Sequence, residues 1–115
     1  MKIRHITSGL QFPEGPIAMD DGSVLLVEIA RGTLSRVTPD GRIHVVAQMG
    51  GGPNGAAIGP DGAVYVCNNG GFEYTTEADG CFRPIAQAHD YSGGRLERVN
   101  LATGKLERLF DTVDG

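Results

Sequence analysis

The chain has 115 residues, 18 of them glycine, with two cysteines and a formal net charge of −4. That length allows one ordinary domain, the acidic balance disfavours general binding to nucleic-acid phosphates, and no apolar run reaches the roughly 20 residues of a membrane span. Met1-Lys2-Ile3-Arg4-His5 leads into no apolar stretch, so no secretory leader is expected and the chain is read as cytoplasmic.

In chain order, residues 1–10 read as one strand, because Lys2-Ile3 and Ile6 fall 40 positions before Arg42-Ile43 and Val46. The unit at 11–50 then reads as four strands. Gly15–Asp20 is followed by an Asp21-Gly22 hairpin turn, Val24–Ile29 by Ala30-Arg31-Gly32, and Leu34–Thr38 by Pro39-Asp40-Gly41, before a last strand at Arg42–Gln48. The unit at 51–115 opens with a strand at Gly55–Gly59, a Pro60-Asp61-Gly62 turn and a strand at Ala63–Cys67. Gly94-Arg95-Leu96-Glu97-Arg98-Val99 then repeats Gly32-Thr33-Leu34-Ser35-Arg36-Val37, and Thr103-Gly104-Lys105-Leu106 repeats Asp40-Gly41-Arg42-Ile43. The offset has grown from 40 to 62, so about 22 residues, near 70–93, are inserted as a loop.

The repeat is plain at Pro13-Glu14-Gly15 and Pro53-Asn54-Gly55, with Asp21-Gly22 and Asp61-Gly62 in step behind them. A period near 40 carrying four short strands is the pattern of propeller blades. The expected fold is therefore all-β: two four-stranded blades at 11–50 and 51–115, preceded by a strand at 1–10 of the kind that closes a ring. Two blades cannot close a circle. The favoured explanation is a piece of a longer chain whose sequence stops at Asp114-Gly115; the alternatives are a ring built from several copies and a self-contained sheet.

In a blade, the start of the inner strand and the end of the next strand reach the same mouth of the central channel. Glu14, Glu28, Asn54, Asn68 and Asn69 are expected there. A carboxylate at 14 and a carboxamide at 54 are hard oxygen donors, suited to Ca²⁺ or Mg²⁺ and less selectively to Zn²⁺ or Mn²⁺; the competing reading makes them ordinary loop residues. The insertion leaves from the same end, so Phe72, Tyr74, Phe82 and Tyr91, with His89 and Asp90, either overhang the mouth as a lid or form a small satellite core. Asn54, Asn69 and His89 are the candidate substrate contacts. Cys67 reads as a small buried hydrophobe, His44 as an exposed strand residue, the Asp-Gly pairs as turns, and Arg95–Arg98 as a solvated strand face.

The run Phe12-Pro13-Glu14-Gly15-Pro16, Pro53-Asn54-Gly55 one repeat on, and Asn68-Asn69-Gly70-Gly71-Phe72-Glu73 continuing to Asp90-Tyr91-Ser92-Gly93-Gly94-Arg95 resemble the SMP-30/gluconolactonase/LRE-like family, in its bacterial lactonase-like branch. The resemblance spans nearly the whole chain. It implies a six-bladed propeller, one divalent cation in the channel, and hydrolysis of a sugar lactone or related ester. It maps the family's glutamate ligand onto Glu14; the remaining ligands and the general base have no counterpart here. On that reading this chain alone is inactive and binds a cation weakly. Its partner is a small-molecule lactone, with no nucleic acid, no membrane, and oligomers only if several chains close the ring. A non-catalytic, NHL-like propeller serving as a protein-binding platform is the alternative, with a strictosidine-synthase-like propeller less favoured.

Overall fold

A computed structural model describes residues 2–111. The end of the second unit, expected at 115, lies outside the described residues, as do Asp114 and Gly115. The described chain is all-β. The first sheet is β1 (Pro13–Ala18), β2 (Val24–Glu28), β3 (Thr33–Val37) and β4 (Ile43–Gln48), antiparallel and in chain order. The second starts with β5 (Pro53–Ile58) and β6 (Val64–Asn68). The chain then departs into a separate hairpin, β7 (Phe72–Thr76) and β8 (Phe82–Gln87), and returns as β9 (Arg95–Val99) and β10 (Leu106–Phe110), giving the sheet order β5-β6-β9-β10. These are two successive four-stranded fans: β5 and β6 stand 40 residues after β1 and β2, and β9 and β10 stand 62 and 63 after β3 and β4.

The turns follow from local chemistry. Gly22, Gly41 and Gly62 take φ of 87°, 89° and 80°, a region open to glycine without steric cost. The aspartate before each accepts a backbone hydrogen bond two residues on, from Ser23, Arg42 and Ala63. The Asp-Gly pairs are therefore turn residues, as read.

One core joins the fans. Leu25, Val27, Leu34, Ala47 and Met49 of the first unit pack with Val64, Val66 and Val99 of the second. The inner strand β5 lies against β1 and β2. The approach is close at Gly15, where a Cβ would stand 3.2 Å from the Ala56 backbone nitrogen.

Four expectations change. Residues 2–10 form no strand. They are held beside the first sheet instead, where Thr7 Oγ1 donates to the Gly41 carbonyl at 2.8 Å and Ile6 and Leu10 share a groove with Leu26 and Val37. The insertion at 70–93 is a β-hairpin rather than a loop, with Tyr74 paired across from Pro84. Cys67 is exposed, because β6 alternates and buries Val66 and Asn68 on either side of it; Cys67 and Cys81 are both free. Arg95–Arg98 is not a solvated face: Glu97 is buried, and Arg95 Nε lies 3.2 Å from it.

Candidate functional site

Both inner strands carry a register shift near their start, just past Glu14 in β1 and at Asn54 in β5. The β1–β2 register shifts between Glu14 and Ile17, and the β5–β6 register shifts between Pro53 and Gly55. Such bulges re-aim side chains at strand ends. Pro13 pairs with Glu28 and Pro53 with Asn68, again 40 apart.

Glu14 and Asn54, both exposed, meet Asn69 in one cleft of about 200 Å³. The remaining lining is apolar: Phe12, Ile29, Phe72, Tyr74 and Pro84. Among the described residues Glu14 has no hydrogen-bond or ion-pair partner. Phe12 carries a φ of 59°, a left-handed conformation uncommon for a bulky residue that, where it persists, clusters at binding sites. Its ring stands 5.9 Å from that of Tyr74, which in turn meets Phe82 edge-on at 6.3 Å. Burial pushes the Tyr74 hydroxyl above its ordinary pKa.

Asn69 is fixed from two sides. Its Oδ1 accepts from Gly71 N at 2.8 Å, while its own backbone N–H donates to the Gly52 carbonyl. The carboxamide lies flat over Gly52, where a Cβ would collide with it. With Oδ1 engaged, the Nδ2 hydrogens remain for a ligand.

Glu28 and Asn68, expected at the mouth, are buried in the walls instead. Asn68 satisfies every polar atom it has. Oδ1 accepts from Gly52 N and Gly70 N, both at 2.9 Å; Nδ2 donates to the Gly50 carbonyl at 2.9 Å and to Glu97 Oε1 at 3.0 Å. It thereby ties the 50–52 loop, which leads to Asn54, to the turn that carries Asn69. Glu28 does the equivalent work in the first unit, accepting from Gln11 N, Arg31 Nε, Thr33 and Ser35. Burial alone would raise its pKa, but the hydrogen bonds from Ser35, Arg31, Gln11 and Thr33 together outweigh it and hold the carboxyl below the usual range. Repeat-equivalent positions have exchanged chemistry: the acid sits at 28 facing the Ser35 hydroxyl, and at 97 facing the Asn68 amide.

His89 is not brought into the cleft. Its side chain is 99% exposed and 3.2 Å from Glu73. Tyr91 lies over Gly70 rather than lining the cleft. Phe12, Ile29 and Pro84 were missed as lining residues. The signal for Pro84 was present in the period-2 spacing of Phe72/Tyr74 and Phe82/Pro84; a lone Phe before a proline carries no such signal.

The family model described as the SMP-30/Gluconolactonase/LRE-like region matches residues 12–114. The chain belongs to this family. No curated protein matches it. The match begins at Phe12, the first residue of the cleft, and covers both fans. Membership brings a lactonase-type, propeller-like class. Glu14 and Asn54 are oxygen donors of the kind a hard divalent cation takes, and Glu14 is uncommitted. Such a cation usually wants six or more oxygens, and the described residues hold no group of three or more His, Cys, Asp or Glu that could bind one. The donor set is therefore chemically suitable but partial. No helix among the described residues is long and apolar enough to cross a membrane.

Proposed function

We propose that this chain supplies part of the catalytic face of a six-bladed, metal-dependent lactone hydrolase. The observation that carries the reading is the convergence of Glu14, Asn54 and Asn69 on one cleft. These residues come from two repeat units and a turn, and the carboxylate is left without a partner among the described residues. Glu14 and Asn54 would hold one divalent cation, Ca²⁺ or alternatively Zn²⁺, Mg²⁺ or Mn²⁺; when bound, such an ion supplies Lewis-acid polarisation of a carbonyl. The chain's own residues orient and enclose the substrate. Asn69, fixed by Gly71 and Gly52, donates through Nδ2 to a ring or carbonyl oxygen. Asn54 lies beside Glu14 and contacts either the ion or the substrate. The β7–β8 hairpin covers one side and keeps water from that flank. The two fans provide one acid to the cleft, so the general base and the remaining donors belong to other blades.

The test is Glu14→Gln in the full-length protein. The charge is lost while size and shape stay. We expect lactone hydrolysis to fall at least a hundredfold, Ca²⁺ and Zn²⁺ affinity to drop in calorimetric titration, and the circular-dichroism spectrum to stay unchanged. Unaltered hydrolysis and cation affinity in that variant would refute the assignment.

A further inference from the structure

We propose that the hairpin wall makes this cleft selective for neutral lactones bearing an apolar substituent on the ring. The inference rests on the cleft being the substrate site and concerns which substrate it takes. The cleft is divided in two. Glu14, Asn54 and Asn69 form its polar edge, while Phe12, Phe72, Tyr74 and Pro84 form a wall with little polar character. A polyhydroxylated ring needs hydrogen-bond partners around its rim; on the wall side only the Tyr74 hydroxyl is available. Among the described residues no Lys, Arg or His lines the cleft, so on the wall side a phosphate or carboxylate substituent meets no cationic side chain.

The wall is built before any ligand arrives. Phe72 and Tyr74, both on β7, line the cleft together. Pro84 on β8 pairs directly with Tyr74. The hairpin base is fastened where Ala88 N donates to the Gly71 carbonyl at 3.2 Å, next to the Asn69–Gly71 hydrogen bond. Tyr74 is braced between Phe12 and Phe82. Phe72 is nevertheless 41% exposed, a large apolar surface at the lip of a cleft. A saturated tail leaving the lactone ring would cover it. Rigid aromatic surfaces of this kind bind at low ordering cost, and each buried methylene should raise affinity about fourfold.

The experiment uses the full-length protein and five-membered lactams, which keep the ring and carbonyl but resist hydrolysis. Affinities are measured by calorimetry for lactams with no tail, a short alkyl tail and a longer one, alongside a hydroxylated lactam. We expect affinity to climb about fourfold per methylene and the hydroxylated ring to bind more weakly than the alkyl series. Phe72→Ser, which removes an exposed ring and leaves the core untouched, should flatten the slope, while Phe72→Leu should preserve most of it. A flat series, tighter binding of the hydroxylated ring, or a slope indifferent to Phe72→Ser overturns the inference. Hydrolysis is assayed separately on the matching lactones. A steep lactam slope without turnover supports this inference and removes the catalytic reading; turnover with a flat slope does the reverse.

Discussion

Asn68 offers the sharpest test of how the cleft is held. Its carboxamide meets four groups with no spare valence: the Gly52 and Gly70 amides, the Gly50 carbonyl and the Glu97 carboxylate. Asn68→Leu keeps the volume and removes all four bonds. Three of these bonds are buried and the one to the Gly50 carbonyl is only partly so; each buried group left unpaired costs about 1 kcal/mol at the least, so the loss should be about 3 kcal/mol. That is a large fraction of the roughly 5–15 kcal/mol that holds an ordinary domain together. Asn68→Asp separates the terms. It keeps both acceptor bonds, loses both donors, and sets a second carboxylate against buried Glu97. Like charges at that range raise the pKa of the pair, so this variant should gain stability, relative to the parent, as pH falls and one carboxyl takes up a proton. Urea midpoints at about pH 7.5 and about pH 5 read both effects, given an unchanged denaturant slope. The reasoning is refuted if Asn68→Asp matches the parent at both pH values, or if Asn68→Leu costs less than about 1 kcal/mol.

Glu28 should contribute acid sensitivity of the opposite sign. Its hydrogen bonds hold the folded pKa below the ordinary glutamate value, so its stabilisation is complete above the unfolded value and fades as pH falls through the folded one; Glu28→Gln should flatten that limb of the pH–stability curve. Gly52→Ala is expected to spare the fold, because the obstructing atoms belong to the Asn69 side chain. By displacing that carboxamide it should raise KM for the lactone several-fold while costing only about 1 kcal/mol in denaturation. The Asp79 carboxylate, hydrogen-bonded to the Cys81 thiol and repelling its thiolate, raises the Cys81 pKa. Asp79→Asn should therefore speed alkylation of Cys81 at mildly alkaline pH, measured by peptide mass mapping against the also exposed Cys67.

The blade strands were legible because each is short, apolar and bounded by a glycine whose φ the turn requires. Val24–Ile29 and Ala63–Cys67 shift by no more than a residue at their ends in β2 and β6. The polar inner-strand positions were legible for the same reason: the period brings 14 and 54 to one place whatever the side chains are. What escaped was anything decided by side-chain partners. Period-2 alternation gives two faces but not which one is covered. Cys67 was therefore placed inside while Glu97 was placed outside, and the structure reverses both. A charged residue on a buried face becomes intelligible only once its partners, Asn68 and Arg95, are brought beside it by pairing β6 with β9. The hairpin was missed because glycines and charges dilute a strand signal that lies in four residues, Phe72, Tyr74, Phe82 and Pro84.

The two units also show why one polar position faces the cleft and another does not. In the first fan Glu14 pairs with Val27 and Glu28 with Pro13. The two acids thus stand on neighbouring rungs of one ladder, with opposite fates. Pro13 and Pro53 stand opposite Glu28 and Asn68 on rungs next to the Ile29 N–Phe12 O and Asn69 N–Gly52 O bonds, so the missing proline N–H breaks no bond of the ladder there. In both repeats a buried polar side chain stands at that rung and bonds to the loop before the inner strand, Glu28 to Gln11 N and Asn68 to Gly52 N. That bond fixes the loop from which the next side chain, Glu14 or Asn54, emerges beside the bulge. The wall residue is therefore committed to the fold and the inner-strand residue is released to the cleft. Substitution at 28 or 68 should register first in stability, and substitution at 14 or 54 first in ligand binding. A variant set measured for both quantities tests that division: a Glu14→Gln protein that loses several kcal/mol, or an Asn68→Leu protein that keeps its midpoint, would show that the rungs do not divide the work in this way.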